Sequence, residues 1–193
     1  LLVHPSLPVR TVADLIKLAK AKPGELNYSS GPNGSSSQIT GELFKSMANI
    51  NFVFIVYKGG SQVTTDLLSG QVQFTFGSGA TWDANIKSGK MRALATTGSQ
   101  RSLLSPDLPT VAETLPGYVA EALFAFWAPA KTPDAIIKRL NQESVRLLEK
   151  PAVRDRLLQI GQEPVGGPPE QLADAVKSEV ARVSKIIKDA GIK

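Results

Sequence analysis

Three stretches of the chain repeat one order of features: an apolar segment, a turn rich in glycine and serine, and a segment with helical periodicity. The turns lie at residues 28–38, 58–61 and 77–81. Three consecutive strand–turn–helix units predict an α/β domain with a mostly parallel sheet. Because the carboxyl ends of parallel strands share one edge, where ligands bind, we expect the three turns to lie close together.

The first of these turns is the longest and the most polar. Residues 28–38 read YSSGPNGSSSQ, and apolar residues follow them at helical spacing. The first turn of a helix has unpaired N–H groups and the positive end of the helix dipole, and small residues leave both open to an anion. This pattern indicates a site for a small carboxylate. An N-capped turn without a ligand is the commoner explanation for one such segment, and the convergence of three turns favours the site.

Further predicted elements surround these three units. The apolar residues 1–3 predict a strand, and Thr11 predicts the N-cap of a helix. The continuous apolar run at residues 51–57 is typical of a strand that is covered on both faces. Residues 71–76 and 91–96 predict two more strands.

The pattern changes in the C-terminal half of the chain. Residues 99–118 are predicted as mostly loop, with a capping box formed by Thr110 and Glu113. Residues 122–128 predict an apolar strand that places Phe124 and Trp127 in the core. Beyond residue 130 the prediction is nearly all helical: a helix from Thr132–Pro133 to about residue 150, a helix at 152–160, a short strand at 162–165 and a long amphipathic helix from Pro168–Pro169.

Composition argues against several other classes of protein. The 193 residues include no cysteine, one histidine and an excess of five positive charges, which are dispersed along the chain and do not predict a nucleic-acid surface. The sequence has no metal-ligand spacing and no phosphate-binding loop, and His4 has no partners for a catalytic triad. We therefore expect no catalytic residue, no metal and no cofactor. For Trp82, core or lobe packing is favoured over stacking on an aromatic ligand.

The order of these motifs resembles the Bug-type solute-binding proteins of tripartite tricarboxylate transporters. The resemblance covers the whole chain, and its most specific elements are Tyr-Lys-Gly-Gly at residues 57–60 and Pro-Thr-Val-Ala-Glu at residues 109–113. Weaker matches follow the family in order: HPSLP at 4–8, AKAKPG at 19–24, GELF at 41–44, DLL at 66–68, GQV at 70–72, RALA at 92–95, Arg101 and WAPA at 127–130.

The resemblance implies a periplasmic protein with two α/β lobes of the type II periplasmic-binding-protein class. These lobes close on a carboxylate solute, and the protein delivers the solute to a membrane permease. By position, residues 1–122 are the second lobe, and residues 123–193 return to a first lobe that is largely absent. Because the chain opens on an apolar segment, we expect a fragment or a processed product that holds half a site. A homodimer through the uncovered surface is a further expectation.

Ligand-binding residues are carried over from the family by position. They are Ser30, Gly34, Ser35, Ser36, Gly59, Gly60, Ser61, Gly77 and Ser78. Two positions depart from the family pattern: Gln38 stands where a histidine is usual, and Gly77 where an aspartate is common. An aspartate at the third turn pairs with a ligand ammonium group, so Gly77 favours a plain mono- or dicarboxylate or an aromatic acid over an amino acid.

One alternative from another class of protein stays open. The ligand-sensing effector domain of a transcription regulator shares a two-lobed architecture. Its distinguishing feature is a DNA-binding helix-turn-helix, which this sequence does not show.

Overall fold

The first helix begins where the sequence marks a cap. In the computed structural model, helix α1 spans Val12–Ala21 behind the N-cap Thr11. The Thr11 hydroxyl accepts the Asp14 N–H at 3.1 Å, and the Asp14 carboxylate accepts the Thr11 N–H at 3.0 Å. This reciprocal capping box satisfies donors that the helix terminus leaves unpaired, and it confirms the predicted N-cap.

The structure describes residues 1–191, apart from the side-chain surroundings of Gly60 and Ala190. The described chain divides into two units, each of which is compact by itself. They are Leu1–Glu121 with the residues from Lys185 onward, and Ala122–Ser184.

Strands and helices alternate through the first unit. The strands are β1 (Leu2–Val3), β2 (Asn27–Ser30), β3 (Val53–Val56), β4 (Phe74–Thr75) and β5 (Arg92–Ala93). The helices that follow α1 are α2 (Ser36–Ala48), α3 (Gly60–Leu68) and α4 (Gly79–Lys87), and a 3₁₀ turn covers Val111–Glu113. The predicted strands at residues 71–76 and 91–96 are therefore present but shorter than expected.

One mixed sheet joins the five strands in the order β3-β2-β4-β1-β5. Strand β2 runs parallel to both β3 and β4, and β1 runs antiparallel between β4 and β5. The prediction of an α/β lobe with a mostly parallel sheet is confirmed. Its antiparallel member is the N-terminal strand, whose Leu2 lies opposite Thr75 on one side and Ala93 on the other.

Strand β3 lies at the edge of this sheet, which corrects one expectation. A continuous apolar run predicts a strand covered on both faces, but Val56 is 56% exposed, and Val53 is exposed as well. Only the middle residues of β3 are half-buried, and Phe54 meets the Tyr28 ring edge-on at 5.4 Å. Apolar composition alone does not distinguish a central strand from an edge strand, because only the neighbouring strands decide it.

Two clusters of buried side chains hold the first unit together. One is rich in aromatic rings and includes Tyr28, Phe44 and Phe74, whereas the other includes Leu2 and Trp82. Consecutive residues of a strand point to opposite faces, and Leu2 belongs to one cluster while Val3 belongs to the other, so the clusters cover opposite faces of the sheet. The assignment of Trp82 to packing is confirmed.

The loop after β5 is closed by an ion pair and a cap. The Arg101 guanidinium donates two hydrogen bonds to the Glu113 carboxylate, at 2.9 and 2.8 Å. Glu113 also completes the predicted capping box with Thr110, which is confirmed. The hydrogen bonds from Arg101 lower the pKa of Glu113, so the carboxylate stays ionised and keeps both partners.

The second unit is helical and exposes much of its apolar surface. Its helices are α5 (Asp134–Leu148), α6 (Pro151–Gln159) and the greater part of α7 (Pro169–Ala190). Helix α5 begins one residue later than predicted, because Pro133 is its N-cap. Neither α5 nor α6 has a buried residue, and the α5 side chains Ile136, Leu140 and Leu147 are exposed.

Two predicted strands of the second unit are wrong. Residues 122–128 and 162–165 have no strand hydrogen bonding within the described chain. The core assignment fails with the first of them, because Phe124 and Trp127 are exposed, Trp127 by 71%. Apolar and β-branched residues favour a strand only where another strand offers its backbone, and no partner strand for these segments lies in the described part.

Within residues 1–191, no helix has both the length and the apolar composition that crossing a bilayer requires.

Candidate functional site

The three glycine- and serine-rich turns leave the sheet at one edge, which is formed by the carboxyl ends of β2, β3 and β4. Ser30 pairs with Val56 and Tyr28 pairs with Phe74, so β2, β3 and β4 end side by side. Adjacent strands are about 4.8 Å apart, which places the three turns within roughly 10 Å along the edge. A 2.6 Å hydrogen bond from the Ser29 hydroxyl to the Thr75 hydroxyl ties two of these strands together near their ends.

Helices α2, α3 and α4 all begin at this edge, and none has an acidic residue in its first turn. Of the other helices, α6 also has no acidic residue in its first turn. Acidic residues stand in the first turns of α1, the 3₁₀ turn, α5 and α7; they are Asp14, Glu113, Asp134 and Glu170. A carboxylate in the first turn offsets the positive end of the helix dipole. The sheet edge therefore collects three helix N-termini whose positive ends have no acidic side chain of their own.

Side chains of the first turn hold its backbone in place. The Gly31 N–H donates to the Ser37 hydroxyl at 2.8 Å, and the Gly34 N–H donates to Gln38 Oε1 at 2.7 Å. The Gln38 N–H donates to the Ser35 hydroxyl at 3.3 Å, as expected of an N-cap. Gly34 has a φ of +79°, a conformation that a residue with a side chain adopts only under strain. The turn thus keeps its shape without a ligand.

Most of the polar groups of the first turn that remain available for a ligand are hydrogen-bond donors. Ser36 and Ser37 are the first two residues of α2, and their N–H groups have no acceptor in the described part of the chain. The Ser35 and Ser37 hydroxyls lie 3.2 Å apart and share one hydrogen, so one hydroxyl hydrogen remains for another acceptor. A backbone N–H can only donate, so the amide oxygen of Gln38 faces Gly34, and the Gln38 NH₂ group makes no hydrogen bond to the described residues. Such a surface suits a ligand that is rich in acceptors.

The second turn leads from β3 into α3. Gly59 is the N-cap of α3 and has no side chain to cap it, Gly60 is the first helical residue, and Ser61 is exposed. The Tyr57 hydroxyl donates to the Asp66 carboxylate at 2.7 Å, which fixes the end of β3 against the helix. Burial, together with this hydrogen bond, raises the pKa of Tyr57 to about 12.

The third turn leads from β4 into α4, which begins at Gly79. Ser78 is its N-cap, and the hydroxyl of Ser78 makes no capping hydrogen bond. Gly77 packs against the indole of Trp82: a Cβ on Gly77 would lie 2.7 Å from Trp82 Nε1. Glycine is therefore required at this position by close approach.

All nine ligand-binding residues expected from the sequence lie at this edge of the sheet or in the first helical turns beyond it. Two of them already have internal roles: the buried Ser30 hydroxyl donates to the Gly31 carbonyl at 3.0 Å, and the Gly34 N–H is occupied by Gln38. Sequence reasoning missed the bonds formed by Ser37 and Gln38, although the Ser-x-x-Gln spacing of a capping box was a signal for them.

Other parts of the described chain are weaker candidates for a ligand or metal site. Two open concavities of about 410 and 470 Å³ lie in the second unit beside α5, and their walls include no residue of the three turns. No group of three or more metal-ligating side chains occurs among the described residues. His4 lies in a turn, with Nδ1 2.7 Å from the Ser6 hydroxyl.

Solved structures share this fold. Rpa4515 of R. palustris, solved with adipate, is 37% identical with a TM-score of 0.85, over all of this chain and 65% of that one. The periplasmic binding protein BugD is 27% identical with a TM-score of 0.80, again over 100% and 65%. These neighbours confirm the periplasmic-binding-protein-like fold.

Sequence comparison gives the same answer. A "UPF0065 protein in tcbD-tcbE intergenic region" of Pseudomonas sp. (strain P51) is 34% identical over 180 residues, which are 92% of this chain and 54% of that protein. This chain thus spans little more than half the length of that curated relative. A model of the family "Tripartite tricarboxylate transporter family receptor" matches residues 1–192. The resemblance drawn from the sequence is confirmed, and the chain belongs to the tripartite tricarboxylate transporter receptor family.

Proposed function

We propose that this chain is part of a periplasmic receptor that binds a small carboxylate solute between two lobes and delivers it to a membrane permease. The observation that carries the proposal is the set of three helix N-termini at one sheet edge, none of which has an acidic residue in its first turn. A bound carboxylate supplies the missing negative charge. Support also comes from the relative Rpa4515, which was solved with the dicarboxylate adipate.

The residues divide into two groups in this proposal. Donors to the carboxylate come from Ser35 and Ser36 in the first turn, from Gly59–Ser61 in the second and from Gly77–Ser78 in the third. Ser30 and Gly34 shape the first turn instead, since their hydroxyl and N–H groups are already used. A receptor of this kind performs no chemistry: its affinity comes from backbone and hydroxyl donors, and lobe closure is its signal.

The three helix N-termini at the sheet edge support only weak binding of a carboxylate by themselves. A helix N-terminus contributes up to about 2 kcal/mol to a carboxylate in a partly buried geometry, so three contribute at most about 6 kcal/mol. Lost translational and rotational freedom consumes much of this, which leaves a Kd on the order of 1 mM or weaker for the edge by itself. A complete receptor therefore needs its first lobe as well, and we place the remaining donors there.

The C-terminal part of the chain has a separate role in this proposal. Residues 1–122 form the second lobe, and residues 123–193 return to the first lobe. Supporting this role, the second unit exposes apolar side chains that a soluble protein normally covers, including Phe126 at 89%. The remainder of the first lobe covers them in the complete receptor, and a second copy of the chain covers them in its absence.

Substitution of the α2 N-cap tests the proposed site. Aspartate is as good an N-cap as serine, so Ser35→Asp leaves the helix intact while it places a negative charge among the donors. We expect calorimetric titration with adipate to show at least about tenfold weaker binding, equivalent to about 1.4 kcal/mol. Hexanoate, which has the same carbon count and one carboxylate fewer, provides the comparison for a monocarboxylate.

Asn51→Asp is the matched control, because it makes the same charge change at the opposite end of β3. Asn51 is exposed there, and its side chain makes no hydrogen bond within the described residues. Adipate affinity is expected to survive this substitution. Equal losses in the two variants, or no loss in Ser35→Asp, would contradict a site at the three turns.

A further inference from the structure

The indole of Trp82 is buried, but its N–H group has no acceptor among the described residues. The side chain belongs to the cluster with Leu2, Tyr57 and Met91, and the residue is 6% exposed. Nevertheless, Nε1 has no hydrogen-bond acceptor anywhere in the part of the chain that the structure describes. Buried tryptophans usually find a partner for this donor, because leaving it unpaired is costly. Within the described residues this donor is therefore left to water or to a ligand.

The N–H group is open to solvent although the ring is not. Two side-chain atoms of residues 1–191 are both sealed from solvent and unpaired, Thr96 Oγ1 and Arg182 Nη1, and Trp82 Nε1 is not one of them. The opening is at Gly77, which is exposed and whose missing Cβ would lie 2.7 Å from Nε1. Any larger residue at this position would cover the donor.

A second, independent feature lies at the same place. Helix α4 begins at Gly79, its N-cap Ser78 makes no side-chain cap, and its first turn has no acidic residue. The indole N–H group and a helix N-terminus without a side-chain cap thus lie at the same turn. Both favour an anionic acceptor, and the packed ring fixes the direction of the indole donor in advance.

We infer that Trp82 binds the ligand through its edge: the indole N–H donates a hydrogen bond to a carboxylate oxygen held at the third turn. Gly77 keeps the path to this donor open. The inference rests on the proposed function and deepens it, since it names a donor that contributes direction rather than charge. Ring stacking on an aromatic ligand is excluded by the packing of the ring in the core.

The indole N–H gives a direct readout by nuclear magnetic resonance. The chain has two tryptophans, so its ¹H–¹⁵N spectrum has two indole cross-peaks, and Trp127→Phe leaves only that of Trp82. Titration of the full chain with adipate is expected to move the Trp82 peak downfield and to slow its exchange with water. In the wild type, the peak of the exposed Trp127 serves as the internal control and stays in place.

Two variants extend the test to affinity. Trp82→Phe removes the donor and keeps an aromatic ring, and Gly77→Ala covers the donor with a methyl group. Each is expected to weaken adipate binding by at least about tenfold, the effect of one lost hydrogen bond to a charged group. If Trp82→Phe does not fold, the Trp127→Phe spectrum alone decides the question.

The outcomes separate this inference from the proposed function. Adipate binding that Ser35→Asp weakens, combined with an unmoved Trp82 peak and unchanged affinity in Trp82→Phe, would overturn the inference and leave the site intact. A wild-type chain that binds neither adipate nor hexanoate at concentrations up to tens of millimolar would overturn the proposed function, and the inference with it.

Discussion

At the scale of single residues, the start of α2 has an amide at the position where the two capping boxes of the described chain have an acid. Ser35 caps α2, and Gln38 stands at the third helical position, which Asp14 and Glu113 occupy in the capping boxes of α1 and the 3₁₀ turn. Those acids stabilise their helices and also offset the positive end of each helix dipole. Gln38 instead accepts the Gly34 N–H without adding charge. The turn therefore keeps its shape and its positive potential together.

Gln38→Glu is expected to separate stability from binding. A glutamate carboxylate accepts the same Gly34 N–H and interacts favourably with the helix dipole, so the free energy of unfolding rises by about 0.5 kcal/mol. The same charge repels a carboxylate ligand, and adipate affinity falls by at least about tenfold, or 1.4 kcal/mol. Urea denaturation and calorimetry measure the two effects. A variant that gains stability and binds adipate as well as the wild type would contradict the role given to this residue.

At the scale of helices and strands, the sequence predicted those elements whose signals are local. Thr11 and the Thr110–Glu113 pair mark helix starts through their own hydrogen bonds, and both lie where expected. Strands depend on neighbours that are distant in sequence, so the apolar residues 122–128 were assigned to a strand that does not form. The burial of β3 was overestimated for the same reason, since nothing in residues 51–57 shows that only β2 flanks them.

The candidate site was predicted at the level of turns rather than of atoms. The repeated strand–turn–helix order is enough to bring the three turns to one edge, because parallel strands share their polarity. It does not indicate which N–H groups are already used, as for Gly34, since this depends on the conformation of Gln38. It also does not show the open N–H of Trp82, since this depends on how the Trp82 ring packs against Gly77.

The hydrogen bond between Tyr57 and Asp66, which ties the end of β3 to α3, makes a pH-dependent contribution to stability. The bond between Tyr57 and Asp66 requires a protonated phenol, and the pKa of Tyr57 is raised to about 12. Tyr57→Phe removes the bond and is expected to lower the free energy of unfolding by about 1–2 kcal/mol at neutral pH. Above pH 10, the unfolded phenol ionises before the folded one, so the wild type loses stability that the variant cannot lose.

The difference in stability between wild type and Tyr57→Phe is therefore expected to shrink as pH rises from 10 to 12. Urea denaturation of both proteins at pH 8, 10 and 11 measures it, and the variant serves as the control for other groups that titrate in this range. Burial also raises the pKa of Tyr28, but that contribution is common to both proteins and cancels. A difference that stays constant over this range would contradict a pH-dependent contribution from this hydrogen bond.

At the scale of the whole molecule, two features point to a chain that needs a partner surface. The candidate site is an open edge whose donors support only weak binding alone. The second unit exposes Phe126 and Trp127 together with the apolar side chains of α5. Exposed aromatic side chains of this size are typical of surfaces that contact other protein. The proposed receptor accounts for both features, because its first lobe supplies further donors and covers the exposed side chains.

We expect the 193-residue chain, by itself, to associate through these exposed side chains. Its average mass in sedimentation equilibrium should rise above 20.6 kDa as concentration increases, because pairing removes apolar surface from water. The double variant Phe126→Ser with Trp127→Ser should stay monomeric at the same concentrations. The pair Leu103→Ser with Leu104→Ser is the matched control, since it removes two exposed apolar side chains from the first unit and leaves the second unit unchanged. A wild-type chain that remains monomeric throughout, or a control pair that dissociates it equally, would show that these side chains are not an interface, and the proposal that the first lobe covers them would lose its support.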